Sequence, residues 1–352
     1  MKNKPLQTGM TLIEIMVSLL IGAFLLGGVL QTFVGSRQTN QMLEGLSRMQ
    51  ENGRYALDIL ATDIRMAGFI GCNRPLAITN TLNMPAPPGN FIYRFGVPVE
   101  GFEAAEGFDG IESAPAAAWT PAKNPAIPDA DGGSDIITIR HADHMNAFTI
   151  ASHPTGPSAI TLDATATVAN LQAADFLDST GLNNCALAVA STCSAATIFQ
   201  INAIAGNTLS HALGGCGPGN STADLGASFQ NGQVHPINTI SYYVMTSNGQ
   251  PALYRKVGGN AATPLVEGIE QMQVWYGVDT DATADGTANY YVTANQLAAT
   301  DRVISVRISL LAVSLERVAS GTVQYTYNGN LTQTDDGLLR RVFTSTISVR
   351  NR

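Results

Sequence analysis

Residues 9–34 read GMTLIEIMVSLLIGAFLLGGVLQTFV, and Glu14 is the only ionisable side chain among them. A spanning helix needs about 20 apolar residues at about 1.5 Å rise each, and the run from Met10 to Val34 meets that length. A lone acid at the centre of a bilayer costs about 2.5–3.5 kcal/mol on insertion scales, so Glu14 demands a compensating partner. Lys2 and Lys4 precede the run, which puts the N-terminus in the cytoplasm and everything after Arg37 across the membrane. A secretory signal is the plainer alternative. Its apolar core is about 7–15 residues and ends in small residues, whereas this run is longer, carries an acid, and is followed only by the poor cleavage site Gly35-Ser36.

The helical pattern continues past the apolar run. Met42, Leu46, Met49, Gly53, Leu57, Leu60 and Ile64 recur at spacings of three and four, which is one face of an amphipathic helix. Glu44 with Arg48 and Arg54 with Asp58 are spaced to pair along the other face. Gly45 and Gly53 each weaken a helix by ~1 kcal/mol relative to Ala, and they allow bending or close packing. The helix is expected to stop near Gly68. This half is read as burying its stripe against the chain's own domain.

The remainder has the composition of a strand-and-loop protein. The chain has 352 residues, 45% hydrophobic and only 13% charged, against about 25% charged in ordinary soluble domains. Its net charge of −8 argues against a broad nucleic-acid surface, and no direct nucleic-acid partner is expected. Residues 73–133 read mainly as loop. Alternating strands are expected over 135–140, 239–244, 252–257, 269–278, 303–310 and 342–351, with weaker ones over 159–162 and 198–201. Ser247-Asn248-Gly249 signals a hairpin turn between two of them. One long helix followed by segregated, mostly antiparallel strands is an α+β plan.

Four cysteines, Cys72, Cys185, Cys193 and Cys216, lie on the extracytoplasmic side of that plan, where disulfides persist. Four allow three pairings, and the spacing fits no zinc pattern. Cys185 and Cys193 are neighbours across a small loop, so the favoured pairing is Cys185–Cys193 with Cys72–Cys216. The longer closure would contribute about 4–5 kcal/mol in the chain-entropy model.

Enzyme chemistry finds little support. His141, Asp143 and His144 follow a strand, but a catalytic zinc normally takes three protein ligands, and a polar loop explains them better. His153, His211 and His235 lie singly in loop-like sequence. No G-x-S-x-G elbow occurs. The glycine-rich segment 214–219 lacks the Lys-Ser/Thr ending of a phosphate loop and reads as a turn around a disulfide. Asp279, Asp281 and Asp285 cluster oxygen ligands as calcium prefers, yet Gly286 stands at the eighth loop place and no Glu closes the loop. An acidic turn is the alternative reading. No cofactor is otherwise expected.

The string Gly9, Met10, Thr11, Leu12, Ile13, Glu14 resembles the processing site of type IV prepilins, although Met10 replaces the commoner Phe. The resemblance implies that prepilin peptidase cuts after Gly9 and N-methylates Met10. It also implies that Glu14 is an assembly residue, meeting a free amino terminus within a bundle of pilin helices. The segment ENGRYALDILATDIRMAGFIGC (51–72) resembles the helix end of PilW-type minor pilins. So does the order of VEGIEQMQVWYGVDTD (266–281), YYV (290–292), VISVRISLL (303–311) and VFTSTISVRN (342–351).

The likeness covers both ends of the chain and is weak over about 75–235. It implies a type IV pilin-like fold divided into a leader 1–9, a transmembrane half-helix 10–34, an amphipathic half-helix 35–68 and an extracytoplasmic β-rich domain 69–352. It further implies single-pass insertion in the inner membrane with a periplasmic C-terminal domain. A place at or near the pilus tip, and a role in initiating assembly, twitching motility and surface attachment, follow from it too. The implied partners are other minor pilins, the major pilin, prepilin peptidase and the inner-membrane assembly machinery. The rival readings are a minor pseudopilin of the J type from type II secretion and a membrane-anchored extracytoplasmic binding protein or enzyme.

Overall fold

The computed structural model describes residues 11–71, 78–87, 89–105, 111–181, 185–214, 216–283, 285–298, 300–319 and 321–350. A single helix runs from Leu12 to Met66, about 80 Å at 1.5 Å per residue. Thr11 caps its start, and Ala67 ends it just before Gly68, which takes φ +75°. The two halves of this helix have different surroundings. Every residue from Leu12 to Val34 is exposed, whereas Met49, Gly53, Ala56, Leu60, Ala61 and Ile64 are buried. Leu46 and Leu57 are half-buried and Met42 is exposed. The buried stripe therefore begins about two turns later than the spacing suggested, because only from Met49 onward does the sheet lie close enough to cover it.

That sheet is antiparallel and four-stranded. Its order is Tyr290–Val292, Ile269–Asp279, Arg302–Val313, Arg340–Ser348. Val274 stands opposite Ile308, and Leu310 opposite Phe343. Alternation places Met272, Val274, Val306, Ile308, Leu310 and Ile347 in one core with Leu60 and Ile64 of the helix. The final strand carries two residues that close the chain on itself: Arg350 donates its N–H to the Arg65 carbonyl, and Val349 donates to Ile304.

A second, larger sheet of thirteen strands is organised by one long strand, Gln233–Ser247. Residues 233–236 pair with Leu187–Ser191, and residues 233–234 also pair with Phe148–Ser152. From Ile237 onward the partners change to Ile136–Ala142 and Gln250–Val257. Pro236, which has no N–H to give a ladder, sits where the partners change. The hairpin after this strand is the tight one signalled by its sequence. Ser247 faces Gln250, and Asn248 and Gly249 take φ +53° and +73°, as a two-residue primed turn requires.

Two strand readings needed correction. Residues 136–142 are buried at every position, on both faces, because the helix core lies on one side and a separate aromatic cluster around Trp119 and Tyr243 on the other. The supposed loop 73–133 contributes three strands, Ile78–Asn80, Val99–Ala104 and Trp119–Thr120. Two are only two or three residues long, and Val99–Ala104 buries the adjacent Gly101 and Phe102 and so shows no alternation. The two sheets are stapled at residues 134–135. The buried Asp135 carboxylate accepts the N–H of Ala104 and of Val274, each at 2.8 Å, and Ser134 Oγ accepts the Met272 N–H at 3.0 Å. A separate core, built from Ile150, Ile160, Leu171, Phe176, Phe199, Leu209 and Phe229 among others, fills the lobe around residues 148–234 and includes no residue of the long helix.

Gly53 marks the tightest approach of the helix to the sheet. A Cβ there would lie 2.5 Å from the Phe343 ring. On an exposed helix, Gly→Ala stabilises by roughly 1 kcal/mol. Here overpacking reverses the sign, and Gly53→Ala is expected to destabilise the chain by about 1–3 kcal/mol in denaturant unfolding of the detergent-solubilised protein.

Candidate assembly surface

The exposed apolar half-helix holds Glu14 in its first turn. The carboxylate folds back over the helix start: Glu14 Oε2 accepts the Thr11 N–H and the Thr11 hydroxyl, both at 2.9 Å. Thr11 Oγ1 in turn accepts the Glu14 N–H at 3.4 Å. This reciprocal arrangement is a capping box. It gives the acid a partner within its own chain, so part of the cost anticipated for it is met before any second helix arrives. Gly9 and Met10, the expected cleavage and methylation positions, lie outside the described residues, as does Cys72.

At the other end of the helix, Asp63 locks the last turn to the sheet. Tyr242 donates its hydroxyl to Asp63 Oδ2 at 2.5 Å, and Arg255 Nε donates to the same hydroxyl at 3.2 Å. Arg255 Nε and His141 Nε2 stand 3.8 and 3.7 Å from the carboxylate. Burial alone would raise the Asp63 pKa. The Tyr242 hydroxyl that donates to it, with His141 and Arg255 facing it, outweighs burial and holds the acid below its ordinary value. Burial and the Asp63 charge push the Tyr242 phenol up. His141 thus belongs to a structural network and not to a polar loop. Asp143 accepts from Met145 N and Asn146 Nδ2 in a turn just beyond it. Sequence spacing missed this network because its members are separated by 179 residues in the case of Asp63 and Tyr242.

The cysteine pairing differs from the favoured one. Cys185 is bonded to Cys216, with Cα atoms 5.8 Å apart, and Cys193 is disulfide-bonded as well. The intervening residues Leu187–Ser191 are an extended strand. At about 3.3 Å per residue it carries Cys193 to the far end of a hairpin. A short loop in sequence is thus a long separation in space, and neither Cys185–Cys193 nor Cys72–Cys216 forms. Cys185 instead meets the glycine-rich turn, where Gln200 Nε2 donates to both the Cys185 and the Gly217 carbonyls.

The acidic loop does come together. Asp279, Asp281 and Asp285 each place a carboxylate oxygen within 4.8 Å of the others. Asp279 is buried and already engaged. Its oxygens accept the N–H of Asp281 at 3.1 Å and of Gly286 at 3.3 Å, and Arg302 Nη2 lies 3.1 Å away. Burial opposes its ionisation, but these donors prevail and keep its pKa below the usual carboxylate value. The group fits a cation only in part, since two of Asp279's acceptor positions already hold the turn closed.

Comparisons with known proteins bear on both ends of the chain. Residues 4–30 match the prokaryotic N-terminal methylation motif, which spans the predicted cleavage site, Glu14 and most of the exposed half-helix. The match lies on the apolar first half of the long helix, whose second half is seated on the antiparallel sheet. Residues 241–351 match the family model of type IV pilus-assembly protein W, which covers the four-stranded sheet that receives the helix. The two matched segments together span less than half of the chain. No curated protein and no solved structure matches the chain. The lobe around residues 148–234 lies outside both matched segments.

Two outcomes are expected. Because Asp63 is more acidic in the folded chain, its contribution is complete above its unfolded pKa near about 3.9 and fades as pH falls through the lower folded value. Asp63→Asn should cost about 1–3 kcal/mol at neutral pH and flatten the acid limb of unfolding free energy against pH. Asp279→Ala should lower the melting temperature equally with and without calcium, since Arg302 and two N–H groups lose their acceptor in either case. A calcium-dependent rise in the parent that vanishes in the variant would instead assign the loop to the cation.

Proposed function

We propose that this chain is a minor pilin that helps start type IV pilus assembly and is carried at or near the pilus tip, in support of twitching motility and surface attachment. The observation that carries the reading is the division of one helix into a buried half and a bare one. Burial of the 49–64 face stabilises the chain's own domain, while the 12–34 segment is apolar but for Glu14, Ser18, Gln31 and Thr32 and is exposed along its whole length. The bare half suits a bilayer first and neighbouring pilin helices afterwards. In the bilayer, the capping box lowers the cost of Glu14. In a bundle, the carboxylate exchanges the Thr11 N–H for a stronger partner, the methylated amino group of Met10 on a neighbouring chain. Low dielectric strengthens that pair while desolvation opposes it, so it sets register more than it adds stability. Helices held in register lower the entropic cost of adding the next subunit.

On this reading the C-terminal domain is periplasmic before assembly. Its partners are other minor pilins, the major pilin, prepilin peptidase and the inner-membrane machinery, with Gly9–Met10 as the processed bond. Intact-mass analysis of the protein recovered from sheared pili is expected to give a chain beginning at N-methyl-Met10. Glu14→Ala should insert and be processed but fall several-fold in the pilus fraction, and a deletion strain should make fewer pili and twitch less. Normal entry of the Glu14→Ala chain into pili would refute the assembly role. Cleavage near Ser36 would release a soluble protein and overturn the whole reading.

A further inference from the structure

His153 and His211, which read in sequence as isolated loop residues, are packed together inside the lobe that neither matched segment covers. Their rings lie 5.8 Å apart, and both residues are almost wholly buried, at 0% and 2% exposed. Phe229 packs on His153 at 5.7 Å and Phe199 on His211 at 5.5 Å. The hydrogen bonds leave no room for a second proton on either ring. His153 Nδ1 accepts the N–H of Phe229 at 3.3 Å, so a proton there would set two donors against each other. His211 Nε2 donates to the Ser158 carbonyl at 2.8 Å, and its Nδ1 is buried without a hydrogen-bond partner, as is His153 Nε2. A proton on His211 Nδ1 would bring a charge into this buried site beside a second imidazole, and the neighbouring backbone carbonyls of Ala223 and His211 do not outweigh the cost of burial. The charged group that faces both rings is Asp224, which offsets this in part.

The segment 216–229 covers the lobe's core, held by bonds to both histidines alongside those to Thr81, Thr197 and Gln200. Ser228 Oγ donates to the His153 carbonyl at 2.8 Å, and Asn220 Nδ2 donates to the His211 carbonyl at 3.1 Å. Leu225 and Phe229 of the cover pack onto Phe199 and Leu209 beneath. We propose that the lobe is acid-gated: protonation of the His153–His211 pair releases the 216–229 cover from the apolar core beneath it, while the helix and the four-stranded sheet stay folded. The Cys185–Cys216 bond tethers the released cover, so the opening reverses when the pH is restored. Both imidazoles bind protons less readily folded than unfolded, because burial disfavours the cation. The unfolded form therefore takes up more protons, and the closed state weakens as pH falls below the unfolded histidine value of about 6.5.

Hydrogen exchange of the full-length protein in detergent micelles, corrected for intrinsic rates, tests this at about pH 7.5 and about pH 5, the range in which histidine titrates. Peptides over 148–162 and 208–229 should lose protection severalfold at the lower pH. Peptides over 302–313 should change little, and protection should return at neutral pH. The double variant His153→Gln, His211→Gln keeps His235 and should lose most of the acid response. Equal loss across both sheets, no loss in the lobe of the parent protein, or an undiminished response in a folded double variant would each overturn the proposal. Should the variant fail to fold, the regional pattern in the parent protein alone decides.

Discussion

The packing of one helix face onto one four-stranded sheet holds this molecule in its functional shape. Ala56, Leu60 and Ile64 lie fully buried against Val306, Ile308 and Leu310, and burying a Leu or Ile side chain is worth about 1.5–3 kcal/mol. Around that contact stand Gly53, which lets the Phe343 ring reach the helix, and Asp63, which ties the last turn to Tyr242 and Arg255. The Arg350–Arg65 backbone bond then brings the final strand against the helix end. The same helix extends, uninterrupted, into a segment with no contact to cover it. Rigid attachment at one end is what turns the bare end into a presented surface and not a loose tail.

The second constraint is the strand Gln233–Ser247, which belongs to both parts of the sheet domain. One end of it lies in the lobe core with Val234, and the other lies in the helix core with Ile240, Tyr242 and Val244. The change of partners at Pro236 separates two bodies of packing while keeping one continuous backbone between them. This arrangement suits a subunit in which one part docks into a common assembly and the other is free to differ. The lobe has its own core and its own disulfide, and it shares no core residue with the helix.

The histidines sharpen that separation. His141 serves the helix–sheet lock through Asp63, whereas His153 and His211 close the lobe. A proton on the second pair would put a charge in a largely apolar site, which Asp224 offsets only in part.

What the sequence determined by itself was whatever depends on neighbours a few residues apart. The apolar run with Glu14, the three-and-four spacing from Met49 through Ile64, the stop at Gly68, the Asn248-Gly249 turn and the long strands read at 269–278 and 303–310 are all encoded by local pattern, and the structure carries those strands one to three residues further. Tertiary structure alone decided the rest. It placed Cys185 beside Cys216 because an extended strand carries Cys193 away. It buried both faces of 136–142 because two cores meet there. It joined Asp63 to Tyr242 and His153 to His211 across large gaps in the chain. Contacts of that kind are set by how sheets stack and where loops return, and no short-range periodicity records either.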